Sequence, residues 1–207
     1  MSVAKAQMLE AMAYLKKSDS VLAKLFGKVE PHVLRPSKNY FESLTDAIIS
    51  QQLSGKAAAT IFKRFKDLFP GGKFPTPAKV LAKSDTELRS VGVSGSKASY
   101  IKNIAAGFED GSLGFKYINK KTDEEIIEML VRIKGIGRWT AEMFLIFSLS
   151  RPDVFSFGDL GLRNAVKKVY GLRKDPSPEK LKQLSAKWCP HRTCASLYLW
   201  ASLDSRP

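Results

Sequence analysis

The sequence is poor in the residues that build metal centres, cross-links and membrane spans. It holds two cysteines and two histidines in 207 residues. Cys189 and Cys194 stand five positions apart with no further cysteine or near-sequence ligand to complete a zinc or iron–sulfur site, so both read as packed thiols and no cofactor or side-chain metal site is expected. No stretch approaches the roughly 18 apolar residues of a membrane span. The N-terminus lacks the apolar segment and small-residue cleavage site of a secretory signal. These absences predict a soluble intracellular protein without a membrane partner, placed in the cytoplasm or nucleoid of a prokaryote or the nucleus of a eukaryote. Strand-like alternation, internal repeats and low-complexity tracts are missing as well.

Acidic residues are the minority. Twenty Asp and Glu stand against 34 Lys and Arg, a formal charge of +14 and an isoelectric point near 9.8. That excess suits a polyanionic partner, although charge alone does not choose among DNA, RNA and an anionic membrane. A hydrophobic fraction of 44% suffices for a sizeable core.

What is present reads as helix. Over residues 40 to 53, Phe41, Leu44, Ile48 and Ile49 share one helical face, and Ile61, Phe62, Phe65 and Leu68 repeat the pattern. Ser54-Gly55 separates the two segments, and Pro70-Gly71-Gly72 ends the second. Thr76-Pro77 is a helix start, because a hydroxyl caps the free amides and proline's fixed φ suits the first turn. Ser84 with Glu87 and Thr122 with Glu125 have capping-box spacing. Pro152, Pro176 and Pro178 mark connections, and Pro190 precedes a last helical stretch through Trp200. The expectation is an all-α protein, a compact two-lobed bundle of about ten short helices. One domain over residues 1–207, made of two intimate helical subdomains, would carry it.

The most informative segment runs from Ile126 to Tyr170. A helix carrying Ile126, Ile127, Leu130 and Val131 ends at Lys134-Gly135-Ile136-Gly137, and an apolar helix starts at once with Arg138-Trp139-Thr140-Ala141. Glycines two apart allow a tight turn whose amides point outward at a helix start. Such a turn can hold a phosphate, helped by the helix dipole and by Lys134 and Arg138. A bare Gly-x-Gly also marks an ordinary helix corner. The context adds to it: the loop Pro152-Asp153-Val154-Phe155-Ser156-Phe157-Gly158 leads to Asp159-Leu160-Gly161-Leu162 and a further helix to about Tyr170.

This order of motifs resembles the helix-hairpin-helix DNA glycosylase superfamily, whose hairpin is followed by a Gly/Pro-rich loop and an essential aspartate. Within it the chain is most similar to the alkylation-repair branch, the bacterial 3-methyladenine DNA glycosylase II class and its yeast relatives. Matching segments span roughly residues 40 to 200: Phe41-Glu42-Ser43-Leu44 with Ser50-Gln51-Gln52-Leu53-Ser54, the turn from Gly92-Val93-Ser94 to Lys97, the hairpin, and Trp188 to Arg192.

The resemblance implies a DNA-binding cleft and a monomer that removes alkylated purines, of the 3-methyladenine or 7-methylguanine type, from duplex DNA to start base excision repair. It makes Asp159 the catalytic carboxylate, acting on a flipped-out nucleotide, and leaves Asp153 as a loop or cap residue. At Trp139 the strand-cutting relatives carry a lysine that forms a Schiff base, so tryptophan there implies base removal without lyase chemistry. Trp139, Leu160 and Phe41 are expected in the base pocket, Trp139 having core packing as its alternative. Leu53 is the expected wedge, with Gln52 as a polar probe. Gly135, Gly137, Lys134, Arg138 and Thr140, with a second clamp of Gly92, Ser94 and Lys97, are expected on the DNA backbone. Some relatives hold a monovalent cation on hairpin carbonyls. Leu160, where the bacterial prototype has an aromatic residue, and His191, where tryptophan or tyrosine is frequent, depart from the pattern. They keep open an alternative, a duplex- or damage-binding protein without turnover.

Overall fold

The computed structural model describes residues 3–204, and no strand occurs among them. In chain order the helices are α1 (Val3–Ser18), α2 (Tyr40–Ser50), α3 (Gly55–Asp67), α4 (Pro77–Leu81), α5 (Asp85–Ser90), α6 (Gly95–Glu109), α7 (Asp123–Val131), α8 (Arg138–Met143), α9 (Leu160–Val169), α10 (Pro178–Ala186) and α11 (Arg192–Asp204). A π-helical stretch, Phe144–Ser148, continues α8. Among the described residues no helix is long and apolar enough to cross a membrane.

Local chemistry sets most helix starts. Asn39, Ser54, Thr76, Ser84, Ser94, Thr122, Asp159 and Ser177 each accept a bond from the backbone N–H three residues on, which satisfies one of the four amides a helix leaves unpaired. Both expected capping boxes form, at Ser84/Glu87 and Thr122/Glu125. From α2 to α10, α8 alone opens without a capping side chain, on Gly137. Helix α2 ends at Ser50 rather than near residue 53, so Gln51–Leu53 form a turn of their own before Ser54 caps α3.

The chain divides into two compact units. One is continuous, Ser37–Phe144, and contains α2 to α8. Its core is built by Leu44, Ile48 and Ile49 of α2 and Ala98, Ile101 and Ile104 of α6, all fully buried. Each fully buried aliphatic or aromatic side chain contributes roughly 1.5–3 kcal/mol. Phe41, expected in the base pocket, belongs to this core: it is 3% exposed and packs edge-on against Phe74 and Phe108 at 5.6 and 5.4 Å. Its helical face is fixed by α2 burial, and sequence spacing alone cannot tell such a face from a pocket wall.

The other unit joins the described residues up to Pro36 with those from Leu145 onward. Leu15, Leu22, Leu162, Val166, Trp188 and Leu199 build its core. The buried Asp19 carboxylate accepts from Tyr170 Oη (2.6 Å), Trp188 Nε1 (3.0 Å) and the amides of Val21 and Leu22. Burial pushes its pKa up, but these bonds outweigh burial and hold it below the usual range. Cys194 is packed as expected, its thiol pushed up to about 12 by burial. Cys189 is exposed instead, and its Sγ donates to Asp153 Oδ2.

Candidate active site

In the discontinuous unit, the loop that follows the π-helical stretch is tied to the start of α11. Thr193 N donates to Pro152 O and Val154 N to Thr193 Oγ1, both at 3.0 Å. Asp153 Oδ1 accepts from Arg192 N and Nε, and Oδ2 from Arg192 Nη2. Burial works against the Asp153 charge, yet the Arg192 bonds prevail and lower its pKa. Asp153 is thus a helix-capping partner of Arg192.

Asp159 sits six residues on, 8% exposed, at the N-cap of α9. Its Oδ1 accepts from Leu162 N at 2.7 Å and from Trp200 Nε1 at 3.0 Å. The first of these bonds satisfies an amide that the helix start would otherwise leave unpaired. Gly161 makes room for this pair: a Cβ there would stand 3.0 Å from Asp159 Oδ1 and 3.2 Å from Trp200 Nε1. The Trp200 ring stacks on Phe147 at 5.8 Å, and both line a groove of about 570 Å³ with Pro31, His32 and Val33. Leu160, beside the carboxylate, is 66% exposed. A buried carboxylate pinned to an aromatic wall of an open groove is a place where positive charge on a ligand can be met by both charge and π-face.

In the continuous unit, α7 and α8 make the hairpin. Gly135 has φ +105°, and the Tyr100 ring occupies the space a Cβ would take, so both backbone conformation and packing demand glycine there. Gly137 is under neither demand; its φ is −88° and a Cβ would meet open space. Its significance is at the helix start: having no side chain, Gly137 supplies no N-cap bond to α8. The carbonyls of Ile133, Lys134 and Gly135 accept from Ile136 N, Asn103 Nδ2 and Gln51 Nε2, so a monovalent cation at the hairpin would share them with protein donors.

Several expected contacts are arranged differently. Arg138 forks onto Glu124 at 2.7 and 2.9 Å and reaches Glu142 at 3.1 Å, so its charge is shared with two carboxylates before any phosphate arrives. The Thr140 side chain is 4% exposed and accepts from Gln51 Nε2, turned away from solvent. Lys97 points its ammonium inward, to Ile49 O at 2.8 Å and Gln51 O at 2.7 Å, and burial lowers its pKa. Lys134 remains exposed. Trp139, at 46% exposure, is not a core residue. Leu53 is 38% exposed and follows Gln52, whose φ of +56° is uncommon for a side chain other than glycine, Asn or Asp. Gly92 (φ +98°), Ser94 and Gly95 line a surface groove of about 730 Å³ with Arg89, and Ser94 caps α6.

The structure therefore groups Asp159 and Leu160 in one unit, and the hairpin, Trp139, the Gln52–Leu53 turn and the Gly92–Ser94 turn in the other. Sequence reasoning missed Trp200, Phe147, His32 and the reason for Gly161. Trp200 lies 41 residues from its partner, beyond any local pattern.

Residues 45–191 match the model of the HhH-GPD superfamily of base excision DNA repair proteins. The chain belongs to this superfamily. This HhH-GPD chain is 41% identical over 180 residues to DNA-3-methyladenine glycosylase 1 of Schizosaccharomyces pombe, covering 86% of this chain and 79% of that one. It is 32% identical to the putative DNA-3-methyladenine glycosylase YfjP of Bacillus subtilis, over 79% of this chain and 59% of that protein. Among solved structures, the S. pombe 3-methyladenine DNA glycosylase in complex with abasic DNA superposes with a TM-score of 0.81 at 38% identity, covering 92% of this chain and 95% of that one. The hairpin and Asp159 of the HhH-GPD chain lie inside the matched span.

Proposed function

We propose that this chain is a DNA glycosylase that hydrolyses the N-glycosidic bond of alkylated purines, of the 3-methyladenine or 7-methylguanine type, in duplex DNA and so starts base excision repair. The observation that carries the reading is Asp159, a nearly buried carboxylate fixed by Leu162 N and Trp200 Nε1 beside an aromatic groove. A methylated purine is cationic and a good leaving group. Flipped from the stack, it would lie against the Trp200 and Phe147 rings. As the bond to C1′ breaks, the base takes the bonding pair and the sugar becomes oxocarbenium-like. The Asp159 charge stabilises that cation and orients the water that adds to C1′.

The hairpin turn at the start of α8, with Lys134, would hold a backbone phosphate of the duplex. Leu53 and Gln52, exposed on a turn, would fill the gap left by the base. Trp139 stands where strand-cutting relatives have lysine, so no amine attacks C1′ and the reaction ends at the abasic site. The chain would act as a monomer. Assignment to the 3-methyladenine DNA glycosylase II class is part of the same proposal, with the exposed Leu160 as the position that sets its lesion range apart.

The test incubates the protein with duplex DNA carrying methylated purines and follows base release and strand scission. Free methylated purines with intact strands until alkali is added support the reading. DNA binding without release from methylated, etheno or deaminated substrates would replace it with a damage-binding protein.

A further inference from the structure

We infer that Lys97, Tyr100 and Asn103, one stripe of α6, register the Gln52–Leu53 turn against the hairpin, with Gln51 as the direct link between the two. The proposal rests on the glycosylase reading for its effect on excision, while the register itself does not depend on that reading.

Residues three apart on a helix share a face, and these three each hold a different part of the turn and the hairpin. Lys97 Nζ takes the carbonyls of Ile49 and Gln51, which α2 leaves unpaired at its C-terminal end. A cation at that place is matched by the negative end of the helix dipole. The Tyr100 ring fills the space over Gly135. Asn103 Nδ2 donates to Lys134 O at 3.4 Å. From the other side, Gln51 Nε2 donates to Gly135 O at 3.3 Å and Thr140 Oγ1 at 3.4 Å, 84 and 89 residues away in sequence.

Gln52, between the clamped Gln51 and the exposed Leu53, holds a φ of +56°. A disfavoured backbone conformation persists where its surroundings over-determine it. Lys97 and Gln51 supply that determination, fixing the carbonyl and the side chain of the preceding residue. The ammonium of Lys97 is thereby spent inside the protein. It positions the wedge and does not count as a phosphate contact.

The two roles give opposite results in one set of measurements on the wild type, Lys97→Met, Lys97→Arg and Gln51→Met. Log affinity for duplex DNA is measured against log salt. 2-Aminopurine beside the lesion reports unstacking, and single-turnover base release reports excision. Lys97→Met is expected to keep the salt slope, lose most of the 2-aminopurine signal and release base about tenfold more slowly, a loss of about 1.4 kcal/mol. Lys97→Arg recovers part of both, because a guanidinium can still donate to two carbonyls. Gln51→Met moves the same readouts in the same direction, less strongly. A Lys97→Met slope reduced by about 0.9 with normal unstacking would mean one lost phosphate contact and would overturn the proposal. Should Lys97→Met fail to fold by circular dichroism, Gln51→Met decides, and normal unstacking and release in that variant overturn the link. If the wild type releases no base, the glycosylase reading fails on its own. Hydrogen exchange in the free protein then still tests the register: faster exchange at residues 51–54 in Gln51→Met or Lys97→Met supports it, and unchanged exchange in both contradicts it.

Discussion

Helices α8 and α9 begin in opposite ways. Helix α8 opens on Gly137, which supplies no side-chain cap, whereas α9 opens on Asp159, whose carboxylate accepts from Leu162 N. At the first start the N-cap residue supplies no acceptor, and at the second it supplies a carboxylate beside a groove. Both starts depend on a glycine pressed by an aromatic ring: Tyr100 over Gly135, Trp200 against Gly161. In the proposed function the same backbone electrostatics serves two ends, gripping a phosphate at the start without a cap and fixing a carboxylate where the cap is supplied.

Four substitutions sharpen that comparison. The largest effect is expected from Gly135→Ala, which meets both a φ of +105° and the Tyr100 ring. Strain and overpacking together should cost about 3 kcal/mol of stability, read by urea unfolding, and DNA affinity should fall with it. Gly161→Ala puts a methyl 3.0 Å from Asp159 Oδ1. Roughly 1–2 kcal/mol of overpacking is expected there, with base release falling further than binding, because the displaced atoms are the carboxylate and its indole partner. Trp200→Phe keeps a ring for stacking and removes the N–H on Asp159. Loss of a hydrogen bond to a charged group, about 1.5 kcal/mol, should slow single-turnover release about tenfold with little change in affinity. Gly137→Ser supplies the cap that α8 lacks at a backbone conformation any residue adopts. Stability should rise by a few tenths of a kcal/mol while DNA affinity falls severalfold, as the hydroxyl competes with phosphate for the same amides. A serine variant that binds DNA as tightly as wild type would break the comparison.

A smaller, pH-dependent effect is expected at Asp153. The native pKa of Asp153 lies below its ordinary value, so the stability it contributes is present above roughly pH 4 and is lost as the pH falls through the native pKa. Melting temperatures of wild type and Asp153→Asn should differ at neutral pH and converge in acid.

What was legible in the sequence is what is decided within a turn of helix. Caps at Thr76, Ser84 and Thr122, the hairpin glycines and the Asp159 N-cap act over three residues, and their side-chain types announce them. What the sequence does not announce concerns side chains whose partners are distant. The resemblance implies Lys97 on phosphate, while in the structure its ammonium meets two carbonyls at the end of α2, 46 and 48 residues away. Arg138 is shared with Glu124, 14 residues away, and Thr140 is reached by Gln51. Phe41 looked like a pocket wall because burial in a core and burial against a ligand select the same residue types. Trp200 had no signal at all, since its role exists only through the 3.0 Å bond to Asp159.

The central claim is that the filled cap acts on the sugar while the empty one grips the backbone. Its most direct test pairs Asp159→Asn with Gly137→Ser on one duplex carrying a single 7-methylguanine, measuring affinity and single-turnover release together. Asparagine caps a helix as well as aspartate does, so the fold is kept and only the charge is removed. The account predicts release at least about a hundredfold slower with affinity nearly unchanged for Asp159→Asn, and weaker affinity with nearly normal release at saturating protein for Gly137→Ser. Wild-type release by Asp159→Asn would contradict it.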